Sequence, residues 1–150
     1  MKRPDFMALA LAEAEAAAAR GEVPVGAVVV RGAEIVSRAG NRTRELNDPT
    51  AHAEILAIRA ASQKLSAERL ADLDLYVTLE PCTMCAAAIS FARIRRLYFG
   101  ASDEKGGAVI NGVRFFSSPT CHHAPEVYPG IAESSAAGLL KTFFQTRRDP

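Results

Sequence analysis

The chain has 150 residues, 49% of them hydrophobic, and a formal net charge of +1 at pH 7, which suits one domain over 1-150 with a substantial core. The balanced charge gives no global argument for nucleic-acid binding, so any RNA contact must use local basic patches. Three cysteines are a poor basis for a disulfide framework, and the lack of an apolar run of about 18 residues excludes a predicted membrane-spanning helix.

The first predicted element is an Ala-rich amphipathic helix from Asp5 to Arg20, which Gly21 ends. The N-terminus weakly resembles a signal peptide, because Met1-Lys2-Arg3 precedes a short apolar run. Asp5 interrupts the basic region, however, and acidic residues follow the apolar run at once. We therefore predict a helix of the fold and a cytoplasmic protein.

The remaining elements alternate between strands and helices along the chain. Strands are predicted over 25–30, 34–40, 73–79 and 96–100, and helices over 51–63, 83–92 and 131–147. Residues 101–125 are irregular and rich in Gly, Ser and Pro. Such alternation predicts a mixed sheet covered by helices on both faces.

Two motifs at predicted helix starts carry the candidate chemistry. His52 and Glu54 form H-x-E at the start of one helix, and Cys82 and Cys85 form P-C-x-x-C in the first turn of another. One imidazole and two thiolates suit tetrahedral zinc, and catalytic zinc keeps three protein ligands and a position for water. Thiolates three residues apart share one helix face, and a helix N-terminus favours them. We predict one Zn²⁺ per subunit, held by His52, Cys82 and Cys85.

Glu54 is predicted to carry protons and not to bind the metal. It would take a proton from the activated water, deliver it to a ring nitrogen of the substrate and then protonate the leaving amine. A C-x-x-C by itself is also typical of a zinc knuckle or a redox pair. Cys121-His122-His123 is a second possible metal cluster, which we interpret as a loop with a partly buried His. A fourth protein ligand would contradict the hydrolytic interpretation.

The H-x-E motif, followed about thirty residues later by P-C-x-x-C, resembles the cytidine/deoxycytidylate deaminase superfamily. Residues 23–28, 40–54 and 97–108 are similar to the bacterial tRNA adenosine deaminases (the TadA family), and the resemblance covers nearly the whole chain. It implies an α/β fold, the three-layer αβα cytidine-deaminase-like fold, with a mixed five-stranded sheet and helices on both faces. One departure is His122 to Val127, where the family has N-H-R-V-E and where Pro125 shortens any strand.

The resemblance also implies substrate contacts. Asn41 is expected to read the base edge, with a turn residue after Gly40 as the alternative; Ala53 is a further expected contact. Asp103 is expected near the ribose, where it would favour RNA over DNA, with a turn or helix cap as its alternative. The ending Phe143-Phe144-Gln145-Thr146-Arg147-Arg148 resembles the family's FF-x-x-RR, which implies that Phe143, Phe144, Arg147 and Arg148 contact the anticodon stem-loop. The alternative is a core aromatic and a solvated basic tail, and we expect at least one Phe in the core.

The predicted function is zinc-dependent hydrolytic deamination of adenosine to inosine at the wobble position (34) of a tRNA, with an arginine tRNA as the expected substrate. The base would be flipped into the pocket. The family implies a homodimer, in which Ala86 to Ile89 could pack at the interface or against the sheet; neither membrane nor DNA partners are expected. The alternatives are a small-molecule deaminase of the guanine, cytosine or cytidine type and a non-catalytic zinc module that binds RNA.

Overall fold

The computed structural model describes residues 4–148, with Arg148 described by its backbone alone. This part of the chain forms four α-helices and five strands. The helices are α1 (Phe6–Ala19), α2 (Ala53–Leu65), α3 (Thr83–Ala92) and α4 (Glu133–Arg148). The strands are β1 (Gly26–Arg31), β2 (Glu34–Gly40), β3 (Asp74–Leu79), β4 (Arg96–Ala101) and β5 (Glu126–Tyr128). A short 3₁₀ turn at Phe115–Ser117 interrupts the long connection after β4.

The predicted elements agree with these bounds to within two residues, with one strand omitted. The predicted start of α2 at residue 51 is wrong by two residues, because His52 is extended and occupies the N-cap position. The four strands read from sequence patterns omit β5, which has three residues and begins directly after Pro125. A strand of that length carries too few residues for an alternation to be visible.

The five strands form one mixed sheet in the order β2-β1-β3-β4-β5. β1 runs antiparallel to β2 and β3, whereas β3, β4 and β5 are parallel to one another. The carboxyl ends of β3 and β4 therefore meet at one edge of the sheet. The segments that follow these two strands begin side by side, which is where open α/β sheets place their ligands.

Helices cover both faces of the sheet in three layers. α1 and α4 pack on one face, and α2 and α3 on the other. β1 supplies Val28 and Val30 to the α1 side and Ala27 and Val29 to the α2 side, and all four side chains are buried. This explains why β1 reads as a continuous apolar run.

On the α1 side, the apolar residues of the first helix are core residues. Phe6, Met7 and Ala10 are buried against β1, as the prediction of an amphipathic helix requires. Asp5 caps this helix by accepting a hydrogen bond from the backbone N–H of Ala8 (3.0 Å). Within residues 4–148, no helix combines the length and the apolar character that crossing a bilayer requires.

The three parallel strands also carry a stack of aromatic rings on the α1 side. The ring centroids of Tyr76 and Tyr98 lie 4.3 Å apart, and those of Tyr98 and Tyr128 lie 4.9 Å apart, each pair stacked. Phe6 of α1 contacts the Tyr76 ring at 5.4 Å. The stack therefore joins β3, β4 and β5 side by side and attaches α1 at one end.

Candidate active site

Two helix N-termini bring the three predicted metal ligands together. His52 is the N-cap residue of α2, Cys82 is the N-cap residue of α3, and Cys85 lies in the first turn of α3. His52 Nδ1 is 3.6 Å from Cys82 Sγ and 3.5 Å from Cys85 Sγ. The ligand atoms all lie within 4.8 Å of one another, so the three side chains could hold one metal ion. One nitrogen and two sulfur donors make a set that fits zinc.

The charges within this cluster are strongly coupled. A hydrogen bond from the Cys85 thiol lowers the pKa of Cys82 to about 4, against the effect of burial, and the contact with His52 lowers it further. Beside that thiolate, the pKa of the buried Cys85 thiol is raised. The hydrogen bond with Cys82 likewise raises the pKa of His52. Cys82 is thus a thiolate at neutral pH, which is the form that binds metal.

Glu54 is two residues after His52, in the first turn of α2, and its side chain is buried. Burial raises its pKa to about 6, although a backbone hydrogen bond and the nearby His52 act in the opposite direction. A carboxyl group with a pKa close to neutral can both accept and donate a proton at physiological pH. Glu54 is not one of the three side chains in the metal-binding group.

A cavity of about 320 Å³ opens beside these groups at the carboxyl edge of β3. His52, Glu54 and Cys82 form its polar base, and Val23, Val25 and Leu79 form apolar walls. Asn41 and Asp103 line it from two different loops. The volume lies at the lower end of the range of small-ligand pockets, and the lining combines apolar side chains with a few polar groups, as such pockets do.

Asn41 is buried and serves two purposes at once. Its side-chain oxygen Oδ1 accepts the backbone N–H of Ala53 at 2.7 Å, and its side chain lines the cavity. Asn41 therefore fixes the first turn of α2, which bears Glu54. Ala53 is completely buried, and its N–H is engaged by Asn41.

Asp103 also combines a cap with a place at the cavity. Its Oδ1 accepts the backbone N–H groups of Lys105 (3.2 Å) and Gly106 (2.9 Å), so the predicted alternative of a turn cap is present. The same half-buried side chain lines the cavity. The cap orients the carboxylate, and this leaves the predicted contact with a substrate geometrically available.

The C-terminal residues differ from one expectation. We expected at least one Phe in the core, but this is wrong: Phe143 is half-buried and Phe144 is 46% exposed. Among the described side chains of α4, Ala136 is the one that is fully buried. The Arg147 guanidinium lies 4.8 Å from the centroid of the Phe143 ring, and the side chain of Arg148 lies outside the described residues.

Phe144 lines a second depression next to the cavity. This groove of about 510 Å³ runs between Leu140 and Phe144 of α4 and the loop that bears Lys105. Val23, Leu79 and Asp103 line both the groove and the cavity. The exposed aromatic side of α4 therefore extends the cavity outward along the surface.

Two buried carboxylates at this site are absent from the sequence prediction, Glu22 and Glu80. Glu22 is 1% exposed and accepts the backbone N–H groups of Arg44 (3.2 Å) and Glu45 (2.8 Å). Glu80 is 2% exposed and accepts N–H groups from the loop after β4. Glu80 directly follows the predicted strand 73–79, but an acidic residue at that place does not show which groups would satisfy a buried charge.

Cys121-His122-His123 lies apart from the metal-binding group that the described residues form. Cys121 Sγ contacts Ser90 Oγ at 3.6 Å and donates to the carbonyl oxygen of His123 at 3.1 Å. His123 Nε2 lies 2.7 Å from the carbonyl oxygen of Ile94. These contacts attach the loop to α3 and to the segment that follows it.

The known proteins to which this chain is similar are deaminases. Residues 1–148 match a family model described as MafB19-like deaminase. A tRNA-specific adenosine deaminase from Agrobacterium fabrum (strain C58) is 66% identical over 147 residues, which cover 98% of this chain and 97% of that protein. A solved structure from a study of A-to-I editing by tRNA:A34 deaminases has a TM-score of 0.89 and 69% identity, covering 90% of this chain and 98% of that chain. Guanine deaminase from Bacillus subtilis has a TM-score of 0.65 and 29% identity, covering 100% and 96% of the two chains.

Proposed function

Because the chain belongs to the MafB19-like deaminase family and to the tRNA-specific adenosine deaminases, we propose that it converts adenosine to inosine at the wobble position of a tRNA. The observation that carries this proposal is the metal-binding group of His52, Cys82 and Cys85, at a cavity that Glu54 also lines, in a chain 66% identical to such an enzyme. The layers and sheet described above are those of the cytidine-deaminase-like fold of its structural neighbours.

The metal in this proposal is Zn²⁺, one per subunit, held by His52, Cys82 and Cys85. Bound there, zinc would supply a Lewis acid that brings the pKa of a water towards about 7. Three protein ligands leave one coordination position for that water. The donor set supports this choice, because two thiolates and a neutral imidazole balance the charge of the ion.

Glu54 moves the protons. As a carboxylate it accepts one proton from the attacking water and delivers it to N1 of adenine, so that C6 accepts the water oxygen. It then takes the remaining proton from the new hydroxyl on C6 and transfers it to the exocyclic amine. The bond from C6 to nitrogen breaks, ammonia leaves, and C6 keeps the oxygen as the carbonyl of inosine. The raised pKa of Glu54, about 6, suits both directions of transfer.

The two loops would hold the substrate from opposite sides. Since Oδ1 of Asn41 is engaged by Ala53, the amide nitrogen of Asn41 is the atom assigned to the base edge. Ala53 remains a proposed contact through its place between Asn41 and Glu54. Asp103 would accept a hydrogen bond from the ribose 2′-OH, which selects RNA over DNA.

The groove beside α4 would receive the anticodon loop. Phe143 and Phe144 offer aromatic surface to bases that leave the stack when the target base is flipped. Arg147 and Arg148 would contact phosphates. We assign an arginine tRNA as the substrate and the cytoplasm as the cellular location of the protein.

We also propose a homodimer of one-domain subunits. α3 buries Ala86 and Ile89 within the chain, but Phe91 on the same helix is 73% exposed. An exposed aromatic side chain on a helix of small residues is typical of a protein interface. A second copy of the chain is the partner assigned to this helix.

Inosine formation measured by mass spectrometry tests the proposed function. Purified zinc-loaded protein would be given an arginine tRNA anticodon stem-loop and, in parallel, free adenosine, guanine and cytosine. We expect inosine in the stem-loop only, and no turnover by Glu54→Ala, which should retain its zinc. Turnover of a free base with an unchanged stem-loop would keep the chemistry and overturn the substrate.

A guanine deaminase is the second candidate function. The structural likeness to the Bacillus subtilis enzyme, at 29% identity, supports the same fold and reaction class with a free base as substrate. The groove lined by Leu140 and Phe144 favours the RNA substrate, because a free base has no use for a binding surface outside the cavity.

A further inference from the structure

The carboxylate of Glu80 is buried and bonded to both ends of one loop. Its Oε1 accepts the backbone N–H of Asp103 (2.9 Å) and the side-chain amide of Asn111 (2.7 Å). Its Oε2 accepts the backbone N–H groups of Val109 (3.0 Å), Ile110 (2.9 Å) and Asn111 (3.0 Å). Each oxygen is thus surrounded by donors, which holds the carboxylate in one place.

The position of Glu80 connects this loop to the metal ligands. Glu80 follows β3 and lies two residues before Cys82, and its own N–H donates to the carbonyl oxygen of Ala101 at 2.8 Å. The loop begins at the end of β4 and carries Asp103 and Gly106, both of which line the cavity. Glu80 therefore links one wall of the cavity directly to the segment that bears the thiolates.

The packing around the carboxylate is too close for any side chain at Gly107. A Cβ atom there would overlap the carboxyl carbon of Glu80 and would lie 2.5 Å from the carbonyl oxygen of Asp103. The loop backbone thus lies directly on the carboxylate. Movement of Glu80 would be transmitted to Asp103 without a compressible layer between them.

We propose that Glu80 is a positioning residue, which sets the location of Asp103 relative to the metal ligands and thereby determines how strongly the enzyme prefers a ribose to a deoxyribose. This inference rests on the proposed function and deepens it. Glu80 also lines the cavity, but both of its carboxylate oxygens are occupied by donors of the loop. It acts through the backbone N–H of Asp103, whose side chain would bind the 2′-OH.

Glu22 provides a matched comparison within the same chain. It is a second buried carboxylate that accepts loop N–H groups, those of Arg44 and Glu45, together with the Thr43 hydroxyl at 3.4 Å. Its loop follows Asn41 and forms a different wall of the cavity. Replacing either carboxylate removes the ionised acceptor of buried loop N–H groups, and of the two only Glu80 accepts the backbone N–H of Asp103.

The test measures kcat/KM on two anticodon stem-loops that differ only by adenosine or 2′-deoxyadenosine at the target position. The ratio of the two values is the ribose preference. In Glu80→Gln one carboxylate oxygen becomes an NH₂ group. Because both oxygens of Glu80 accept from N–H donors, either orientation of the glutamine side chain places that NH₂ group against a donor. We expect Glu80→Gln to lower the ribose preference by about tenfold, the effect of one charge-assisted hydrogen bond. Asp103→Asn should lower the preference equally, and Glu22→Gln should leave it within about twofold of the wild type although it also loses stability.

A double variant separates positioning from a general structural role. In the Asp103→Asn background, Glu80→Gln should lower the ribose preference no further, because both changes remove the same contact. If Glu80→Gln does not fold, Asn111→Ala removes one bond to the same carboxylate and should lower the preference by about threefold.

Several outcomes would overturn the inference alone while the stem-loop is still deaminated. One is an unchanged ribose preference in Glu80→Gln, Asn111→Ala or Asp103→Asn. Another is a fall of the ribose preference in Glu22→Gln as large as that in Glu80→Gln. The last is a fall in the double variant that equals the sum of the two single effects. Failure of the wild-type protein to deaminate either stem-loop would overturn the proposed function, and the inference with it.

Discussion

At the scale of single residues, the cavity is lined by polar side chains that are already held in place. Asn41 caps α2 through Ala53, and Asp103 caps its own turn through Lys105 and Gly106. For Asp103 the predicted cap is compatible with a substrate contact, and for Asn41 the structure adds a helix cap to the predicted turn and base-edge roles. A side chain fixed by its own backbone loses little entropy when a ligand arrives, so these caps favour tight and specific binding.

Acid stability should depend on Glu22. Burial alone would raise its pKa, but the N–H groups of Glu45 and Arg44 and the Thr43 hydroxyl outweigh burial, so its pKa is lowered. A carboxyl with a lowered pKa stabilises the fold above the pKa of the unfolded chain and loses this contribution as pH falls through the folded value. We expect Glu22→Gln to lower the free energy of unfolding by about 1–3 kcal/mol at pH 7.

Urea denaturation of both proteins between pH 7 and pH 3 measures this difference. It should stay constant above about pH 5 and shrink below about pH 4.5, as the wild-type carboxyl becomes protonated. A difference that does not change with pH would mean that the ionised form of Glu22 does not stabilise the fold.

The clustering of His52, Glu54, Cys82 and Cys85 could be predicted because these residues lie in two short motifs at helix starts. Glu22 and Glu80 could not, because their partners are backbone N–H groups of distant loops. Every residue type except proline has a backbone N–H, so the sequence does not show which N–H groups will contact a given carboxylate. Loop conformation, which patterns do not specify, decides where the donors point.

At the scale of elements, helix starts depend on long-range contacts. The Asp48 side chain accepts the backbone N–H of Thr50 at 2.9 Å, which forms a local turn before α2. The helix itself begins at Ala53, where Asn41 supplies the cap from another loop. The sequence indicated the local cap cluster but not the distant cap, which explains the error of two residues.

The proposed role of the end of α4 can be tested by deletion, since its aromatic side chains lie outside the core. Removal of 143–150 should lower kcat/KM on the stem-loop at least about tenfold, because base stacking is lost. The melting temperature should fall by only a few degrees, since Phe143 and Phe144 lie outside the core. Kinetic assays and thermal denaturation provide both values.

Single substitutions give the control for that deletion. Phe144→Ala should reproduce most of the kinetic loss, whereas Gln145→Ala, at the neighbouring exposed position, should behave as the wild type. Full activity of the shortened protein on the stem-loop would contradict the role assigned to the groove.

At the scale of the whole molecule, the three candidate metal ligands come from two helices that lie on the same face of the sheet. His52 comes from α2, and Cys82 and Cys85 come from α3. Removal of zinc by a chelator should therefore lower the melting temperature by about 8 °C or more, because a ligand that binds only the folded state stabilises it. Differential scanning calorimetry before and after chelation measures the shift.

Return of zinc should restore the melting temperature, and the same treatment of Cys85→Ser should change it little. An unchanged melting temperature after complete metal removal would mean that α2 and α3 are held by packing alone.

The sequence predicted the layers of the fold but not the order of its strands. Alternation of helices and strands indicates helices on both faces, and the motif resemblance implied five strands. The order β2-β1-β3-β4-β5 and the antiparallel pairing of β1 with β3 depend on which buried faces fit together. Sequence periodicity indicates which face of a helix or strand is buried, but it does not indicate which other element covers that face.

The stack formed by Tyr76, Tyr98 and Tyr128 has a spectroscopic consequence. The chain contains three tyrosines and no tryptophan, so all of its phenol rings lie in this one row across β3, β4 and β5. Rings at such separations exchange excitation energy, and their near-ultraviolet circular dichroism depends on their mutual orientation. The optical signal of this protein is therefore a native reporter of whether the short edge strand β5 is in place, without any introduced label.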